Sequence, residues 1–428
     1  MFAIGKNKAD AIIKGAPFMH TIATLNHISE TGLERFSDDY VFTNDLNSAE
    51  GILVRSYDML DMTFSKDLLA IARAGAGVNN IPITRCAEEG IVVFNTPGAN
   101  ANAVKEMALA AIFLAARNLP GALEWTKTLT SNVAQEVEKG KSKFTGNEIK
   151  GKTLGVIGLG YIGVLVANAA ENLGMNVVGY DPSIHVKAAH ELSRKIPLLD
   201  TLDDMLPQCD YVTIHVPAIT STNGMIDQKR LSQMKMGVCL LNFSRENLVN
   251  EEALFDAIDS GIVKKYITDF PTDNLVGKRG VVCLPHLGAS TAESEEHCAV
   301  MAVDQMMNYL ESGNITHSVN YPTISLGPFD RSSAEYRVCI LNKNIPSMLQ
   351  KITSALADVN ISDMVNKSKG DFACTLIDID SCIDSEELKN KLSFEGIVSV
   401  RIIKHPEKDD VGNDYVPALQ PYAYFPGR

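Results

Sequence analysis

One stretch, GKTLGVIGLGYIGVLVANAAENLGMNVVGYDPS, restricts what this chain can fold into more than any other. A short apolar run, TLGVI, leads into Gly158-Leu159-Gly160-Tyr161-Ile162-Gly163, then into VLVANAAENLG at helical spacing, then into a second apolar run that ends at Asp181. At this spacing the first glycine permits a tight turn, the second lets a pyrophosphate approach the backbone, and the third lets helix and strand pack closely. The helix start then offers free N–H groups and the positive end of its dipole. Glycines alone would read as a bare turn. Strand, helix and acid within one unit predict a dinucleotide site at Gly158, Gly160, Tyr161, Ile162 and Gly163. Asp181 can accept hydrogen bonds from the ribose hydroxyls of NAD. It would repel the extra phosphate of NADP by about 4 kcal/mol per unit charge at ~4 Å and an effective dielectric constant of ~20. NAD is therefore the expected cofactor. As a turn residue before Pro182, Asp181 would need no ligand.

The rest of the chain alternates in the same manner. From Thr21 to about Thr96, apolar runs (TIATLNHI, GILVRS, LLAIARAGAG, GIVVFNT) are separated by helical stretches, which predicts a parallel sheet covered by helices. ANAVKEMALAAIFLAARNLPGA reads as one long helix that stops at Pro120 and crosses between domains, and Thr126–Lys150 is polar. After the glycine motif, DYVTIHVP, GVCLLNFS, YITDFP and VVCLP continue a doubly wound sheet to about Pro285. The helical run ESEEHCAVMAVDQMMNYLESG can return to the first domain, which lacks a closing helix of its own. Beyond Pro322, Gly327 and Pro328, six elements follow as strand, helix, two strands, helix and strand. The expected class is thus α/β: a Rossmann-type doubly wound parallel sheet inserted in a discontinuous flavodoxin-like α/β substrate domain, plus a C-terminal ferredoxin-like βαββαβ domain. The corresponding ranges are 1–98 with 287–320, 99–286, a linker at 321–335, 336–404, and a tail from 405 with no assignable period.

Three charged residues fall at the ends of later strands, on the edge where open α/β sheets bind ligands: Arg245 in NFSRENLVNEEAL, Asp273 in ITDFPTDNL and His286 in LPHLGAST. Separately they read as an exposed arginine, a turn aspartate and a helix-capping histidine. Together they supply a cation for a carboxylate or carbonyl oxygen, a proton carrier and an acid to orient it. His215 in TIHVP sits at another strand end and reads as lining the cofactor groove. Val216, Pro217, Phe243, Ser244 and Gly288 are expected beside it.

Taken with RAGAGVNN and FNTPGAN, these motifs resemble the D-isomer-specific 2-hydroxy acid dehydrogenases, and among them the phosphoglycerate dehydrogenases, over about Leu53 to Cys298. The resemblance implies that Arg245 binds the substrate's carboxylate and reacting oxygen, that His286 exchanges the hydroxyl proton, and that the acid at Asp273 partners the imidazole. It also implies that Arg55 and Ser56 in ILVRSYD read the phosphate of a small 2-hydroxy acid, and that the backbone N–H groups of Ala76 and Gly77 hold its carboxylate. Arg55 as an ordinary ion pair at a strand end is the alternative. Two departures stand out: the family usually has glutamate where Asp273 stands, and Thr268 holds the usual aspartate position. Asp269, one residue along, becomes the candidate for the nicotinamide amide contact. RVCILNKNIPSML resembles the opening of an ACT domain, a ligand-sensing module. Asn344 and Asn360 match its amino-acid contacts, with Asn342 in place of the usual histidine. The expected reaction is oxidation of 3-phosphoglycerate by NAD+, entering serine synthesis. Reduction of glyoxylate or hydroxypyruvate, and nucleotide sensing without turnover, remain open beside it. A homo-oligomer is expected by the same analogy.

Composition narrows the partners. Among 428 residues, 45% are hydrophobic and 21% charged, and no uncharged apolar run reaches the eighteen or so residues of a membrane helix. A net charge of −13 disfavours a nucleic-acid partner. The start, MFAIGKNKADAIIKGAP, has no signal-peptide pattern, and the eight cysteines are scattered without a CxxC pair. A cytoplasmic protein with reduced cysteines, no membrane partner and no metal site is expected.

Overall fold

The computed structural model describes residues 19–329, 334–381 and 383–404. The amino-terminal stretch read for a signal, part of the expected linker, Cys382 and the tail from His405 lie outside the described residues. The chain divides into two compact units, Asn100–Ser294 and the segments that flank it.

The flanking unit opens with β1 (His20–Leu25), β2 (Tyr40–Phe42), β3 (Gly51–Val54), β4 (Ala70–Arg73) and β5 (Val92–Phe94). They form a wholly parallel sheet in the order β2-β1-β3-β4-β5, the flavodoxin-like order. Because side chains alternate along a strand, Leu53, Ala70, Ala72 and Phe94 enter one core while Ile52, Val54, Ile71 and Val93 enter another. Both faces are therefore covered, as a parallel sheet requires. The first core is closed by the helix Ala292–Ser312, whose Ala299, Ala302, Val303, Met306 and Leu310 recur at helical spacing.

The central unit carries β6 (Thr153–Ile157), β7 (Asn176–Tyr180), β8 (Tyr211–Ile214), β9 (Val238–Asn242), β10 (Val263–Thr268) and β11 (Val281–Cys283) in the parallel order β7-β6-β8-β9-β10-β11. A single bridge from Gly179 to Leu198 stands beyond β7 where a further strand would lie. With it, the order is that of a Rossmann sheet, whose switch point falls between β6 and β8. On one face the helices Ala101–Arg117 and Tyr161–Asn172 meet through Ala108, Ala111 and Ala115 against Val164, Ala167 and Ala170.

The long helix expected to stop at Pro120 breaks earlier. Asn118 turns left-handed (φ 48°, ψ 39°), and a second helix runs Leu119–Lys127. Pro120 sits in its first turn, where the missing N–H costs nothing, so the proline begins a helix rather than ending one. The polar stretch after it holds a further helix, Val133–Gly140, with Trp125 packed over Gly140 so closely that a Cβ there would stand 2.4 Å from the indole.

At the carboxyl end, β12 (Tyr336–Lys343), β13 (Ile361–Lys369), β14 (Phe372–Ile379) and β15 (Ile397–Lys404) form an antiparallel sheet in the order β13-β14-β12-β15, with the helices Met348–Ala355 and Ser385–Lys391 between them. This is the ferredoxin-like βαββαβ order. Val338, Ile340, Ile377 and Ile379 pack with these helices; Cys339, Leu341, Cys374 and Leu376 instead join the core around the helix Ala292–Ser312. Two arginines tie the contact. Arg337, buried and directly opposite Asp378, pairs with it at 2.6 and 2.8 Å and donates to the carbonyls of Ser312 and Gly327. Arg401 donates to the carbonyls of Leu310 and Tyr309 and stacks 4.5 Å from the Tyr309 ring. The helix end, which has no basic residue of its own in the last turn, is thus capped from the C-terminal sheet.

Removing one member of a buried pair leaves the other charge without compensation. Asp378→Ala should destabilise the chain by about 3–5 kcal/mol, read as a lower urea midpoint. A midpoint within error of the parent would show that the pair contributes nothing.

Candidate functional site

The glycine turn follows β6 directly. Gly158 adopts φ +88°, and a Cβ on it would lie 2.7 Å from the carbonyl oxygen of His215. A Cβ on Gly163 would lie 1.9 Å from the Gly158 oxygen, so the helix reaches the strand only without one. A Cβ on Gly160 would meet nothing within 4 Å, so the backbone there faces open space where a pyrophosphate would approach. Tyr161 and Ile162 start the helix. Asp181, just after β7, accepts the N–H of Leu159 at 2.8 Å through one oxygen and that of Ser183 at 2.8 Å through the other. The acid therefore braces the glycine turn and keeps further lone pairs for a ligand.

The groove wall comes from the ends of β8 and β9. His215 is joined by its N–H to Ile157 and through Nε2 to Thr213 at 2.9 Å, while Nδ1 is buried without a partner. Burial pushes its pKa down to about 3, so the ring stays neutral. Val216 packs its Cγ1 against Gly158, and Pro217 follows, exposed. Phe243 is buried, and Ser244 donates its hydroxyl to the Ile214 carbonyl at 2.7 Å. The buried Asn242 accepts the Ser244 N–H and donates to the Arg245 carbonyl, which fixes the backbone from which Arg245 projects.

Arg245 and His286 come together on one aromatic ring. The guanidinium carbon lies 5.9 Å from the centre of Phe270, and the imidazole centre lies 4.5 Å from it. His286 is exposed and left-handed (φ 33°), with its N–H donated to the Asp269 carbonyl at 3.0 Å. Beneath it, Asp269 is buried; one carboxyl oxygen accepts the Gly288 N–H at 2.8 Å and the other has no partner. Burial raises the Asp269 pKa, while the backbone bond from Gly288 and the charges of His286 and Arg245 pull it back. Asp273 does not join this group. It is exposed on the turn after β10, and its side chain makes no hydrogen bond or ion pair among the described residues. Its neighbour Thr272 is drawn instead to Glu251, at 2.7 Å.

The flanking unit holds the substrate-side residues. Arg55 pairs with Glu295 at 2.6 Å, both side chains a little over one-third exposed. The N–H groups of Ser56 and Tyr57 are taken by the Asn26 side chain. The loop after β4 is held from behind: Arg73 donates to the carbonyls of Arg55 and Gly77, and Asn95 to that of Ala76. Among the described residues the N–H groups of Ala76 and Gly77 donate to nothing. In the C-terminal sheet, Asn344 donates to Gly370 at one end of β14 and Asn360 to Asp380 at the other. About 24 Å of strand separates those ends at ~3.4 Å per residue, so one chain cannot close both asparagines on one small effector. Asn342 is buried, with its amide donating to the Lys343 carbonyl.

Residues 109–288 match the model for the D-isomer specific 2-hydroxyacid dehydrogenase NAD-binding domain. A D-3-phosphoglycerate dehydrogenase from Archaeoglobus fulgidus is 35% identical over 294 residues, 66% of this chain and 53% of its own. A Schizosaccharomyces pombe protein provisionally given the same name is 31% identical over 354 residues, 76% of this chain and 72% of that protein. The chain belongs to the D-isomer specific 2-hydroxyacid dehydrogenase family. Among solved structures, a glyoxylate/hydroxypyruvate reductase from Sinorhizobium meliloti superposes with a TM-score of 0.60 at 23% identity, over 70% of this chain and 97% of that one, and shows the shared fold. The match spans about half the length of the Archaeoglobus relative.

The central unit is the family's NAD-binding domain, and its residues fit the cofactor. The open backbone at Gly160 suits a pyrophosphate, and the unpartnered Asp269 oxygen suits the N–H donors of a carboxamide. Sequence reasoning gave no role to Phe270, Asn242 or Arg73. Their motifs, ITDFPTD, NFS and RAGAG, were in view, but aromatic packing and backbone tethering have no spacing signature.

Gly163→Ala should prevent folding of the central unit, seen as loss of the cooperative melt. Gly160→Ala should fold but bind NADH at least tenfold more weakly in a fluorescence titration; equal behaviour of the two would contradict the division of roles. Because His215 is neutral when folded but protonates below about 6.5 when unfolded, its contribution to stability is whole above that pH and is lost as pH falls toward 3. His215→Gln should flatten that slope in unfolding measured across the acid range.

Proposed function

We propose that the chain is an NAD-dependent D-2-hydroxy acid dehydrogenase whose substrate is 3-phosphoglycerate, oxidised to 3-phosphohydroxypyruvate. The observation that carries the reading is that Arg245 and His286 both lie against the Phe270 ring, next to the buried Asp269, at the strand ends of the NAD-binding domain. When bound, the nicotinamide supplies the acceptor for the hydride. Arg245 grips the carboxylate and the reacting oxygen through its planar fork of donors. As the carbinol C–H bond is lost, neutral imidazole at His286 takes the hydroxyl proton, and the oxygen left behind becomes a carbonyl. Asp269 supplies the negative charge felt at both Arg245 and His286. Asp273, exposed and without a hydrogen bond or ion pair to the imidazole among the described residues, is not assigned that part.

Within the flanking unit, Arg55 and the free N–H groups of Ala76 and Gly77 have the donor chemistry that a phosphate and a carboxylate call for. Reduction of glyoxylate or hydroxypyruvate is favoured by one observation: Arg55 already has an anion, Glu295. The ferredoxin-like domain, ACT-like in its opening motif, is assigned to assembly of a homo-oligomer rather than to serine sensing, because Asn344 and Asn360 stand at opposite ends of β14. Action in the cytoplasm, at the entry to serine synthesis, is in keeping with the absence of a disulfide among the described cysteines.

His286→Asn keeps a residue that tolerates the left-handed backbone. It should lower NADH formation from 3-phosphoglycerate by about 100- to 10,000-fold while changing the NADH dissociation constant less than twofold. Wild-type protein that binds NADH but forms none from 3-phosphoglycerate, D-glycerate or D-lactate, and oxidises none with hydroxypyruvate or glyoxylate, would exclude catalysis.

A further inference from the structure

We propose that Glu295 tunes the distal group that the substrate-side subsite accepts, by holding Arg55 in a net-neutral pair that a phosphate must open and an uncharged hydroxyl need not, so that 3-phosphoglycerate is held less tightly than it would be without this carboxylate. The inference rests on the reading of Arg55 as the residue that meets the far end of the substrate.

The carboxylate and guanidinium stand 2.6 Å apart, one from the start of the helix Ala292–Ser312 and the other from the end of β3. Both are more than one-third exposed, so the pair adds little to stability and can open. Helix stability does not require Glu295 in particular, because Glu293 and Glu296 already place negative charge in the same turn. Arg73 fastens the Arg55 carbonyl to that of Gly77, so the end of β3 and the loop with free N–H groups form one edge. The pair therefore stands on the same edge as the unclaimed N–H donors of Ala76 and Gly77.

A net-neutral pair has a definite chemical preference. A hydroxyl can accept from the guanidinium and donate to the carboxylate, leaving both satisfied. A phosphate dianion offers acceptors alone. It must take Arg55 away from Glu295 and then lie beside a like charge, a repulsion that exposed side chains and salt moderate without removing. With glutamine at this position the amide can donate to phosphate, and Arg55 is released.

The test uses the full chain saturated with NADH, so that hydroxy acids bind without turnover, and measures dissociation constants calorimetrically for 3-phosphoglycerate and D-glycerate. Glu295→Gln should tighten 3-phosphoglycerate by about tenfold and change D-glycerate less than twofold; Arg55→Gln should abolish the difference. Unchanged or weaker binding of the phosphorylated acid in Glu295→Gln overturns the proposal, as does equal tightening of both acids or binding of neither by either protein. Acid binding that follows the expected pattern without NADH formation in wild-type assays leaves the selectivity in place and removes the reaction alone.

Discussion

The contact between Gly163 and the carbonyl of Gly158 governs the geometry of the central unit, because the helix after the first strand can come no closer and any side chain would force it away. With that distance set, the helix start faces the switch point between β6 and β8, and the ends of β8, β9 and β10 follow in order across the sheet. His215, Ser244 and Asp269 occupy successive strand ends and are tied to neighbouring strands or turns by hydrogen bonds. The side chains proposed for catalysis therefore inherit their positions from a parallel ladder, and a displaced helix would disturb the cofactor cradle and the groove wall together.

Burial and charge divide the carboxylates of this region. Asp181 spends both oxygens on backbone donors. Asp269 has one such donor and one vacant oxygen in an enclosed setting, where an unpaired polar atom costs free energy until a donor arrives. Pre-organisation of this sort favours a ligand with a rigid amide. His215 presents the complementary case, a ring held neutral beside the groove that cannot add positive charge near the cofactor.

Much of the architecture was legible because it is periodic. The glycine turn, both parallel sheets and the C-terminal strand order follow from alternation, helical spacing and turn residues. Local backbone choices were less so: Pro120 fits a helix stop and a helix start equally well, and only the left-handed Asn118 decides between them. The short β2, three residues long, carries too few alternations to register. Of the expected catalytic group, Arg245 and His286 converge, whereas Asp273 is exposed and bonds to neither, and Asp269 takes the enclosed position. Three residues of turn separate the two acids, and spacing alone cannot say which of them points inward. The partners of Arg55, Arg337 and Arg401 were hidden for another reason: each is met across a long loop of sequence, where composition gives no clue to pairing.

The arginines that donate to the last carbonyls of the helix Ala292–Ser312 bear on how this architecture could have been assembled. Domains joined by bare linkers can be shuffled, lost or swapped in evolution with little penalty to their neighbours. Here the parallel sheet of the flanking unit leaves the finishing of its closing helix to guanidinium groups encoded downstream, and one face of the C-terminal sheet packs into the same core. A lineage that shed the C-terminal sheet would have to re-solvate three peptide oxygens and repaint an oily face before the remainder could stand alone. The appendage is in that sense no longer optional.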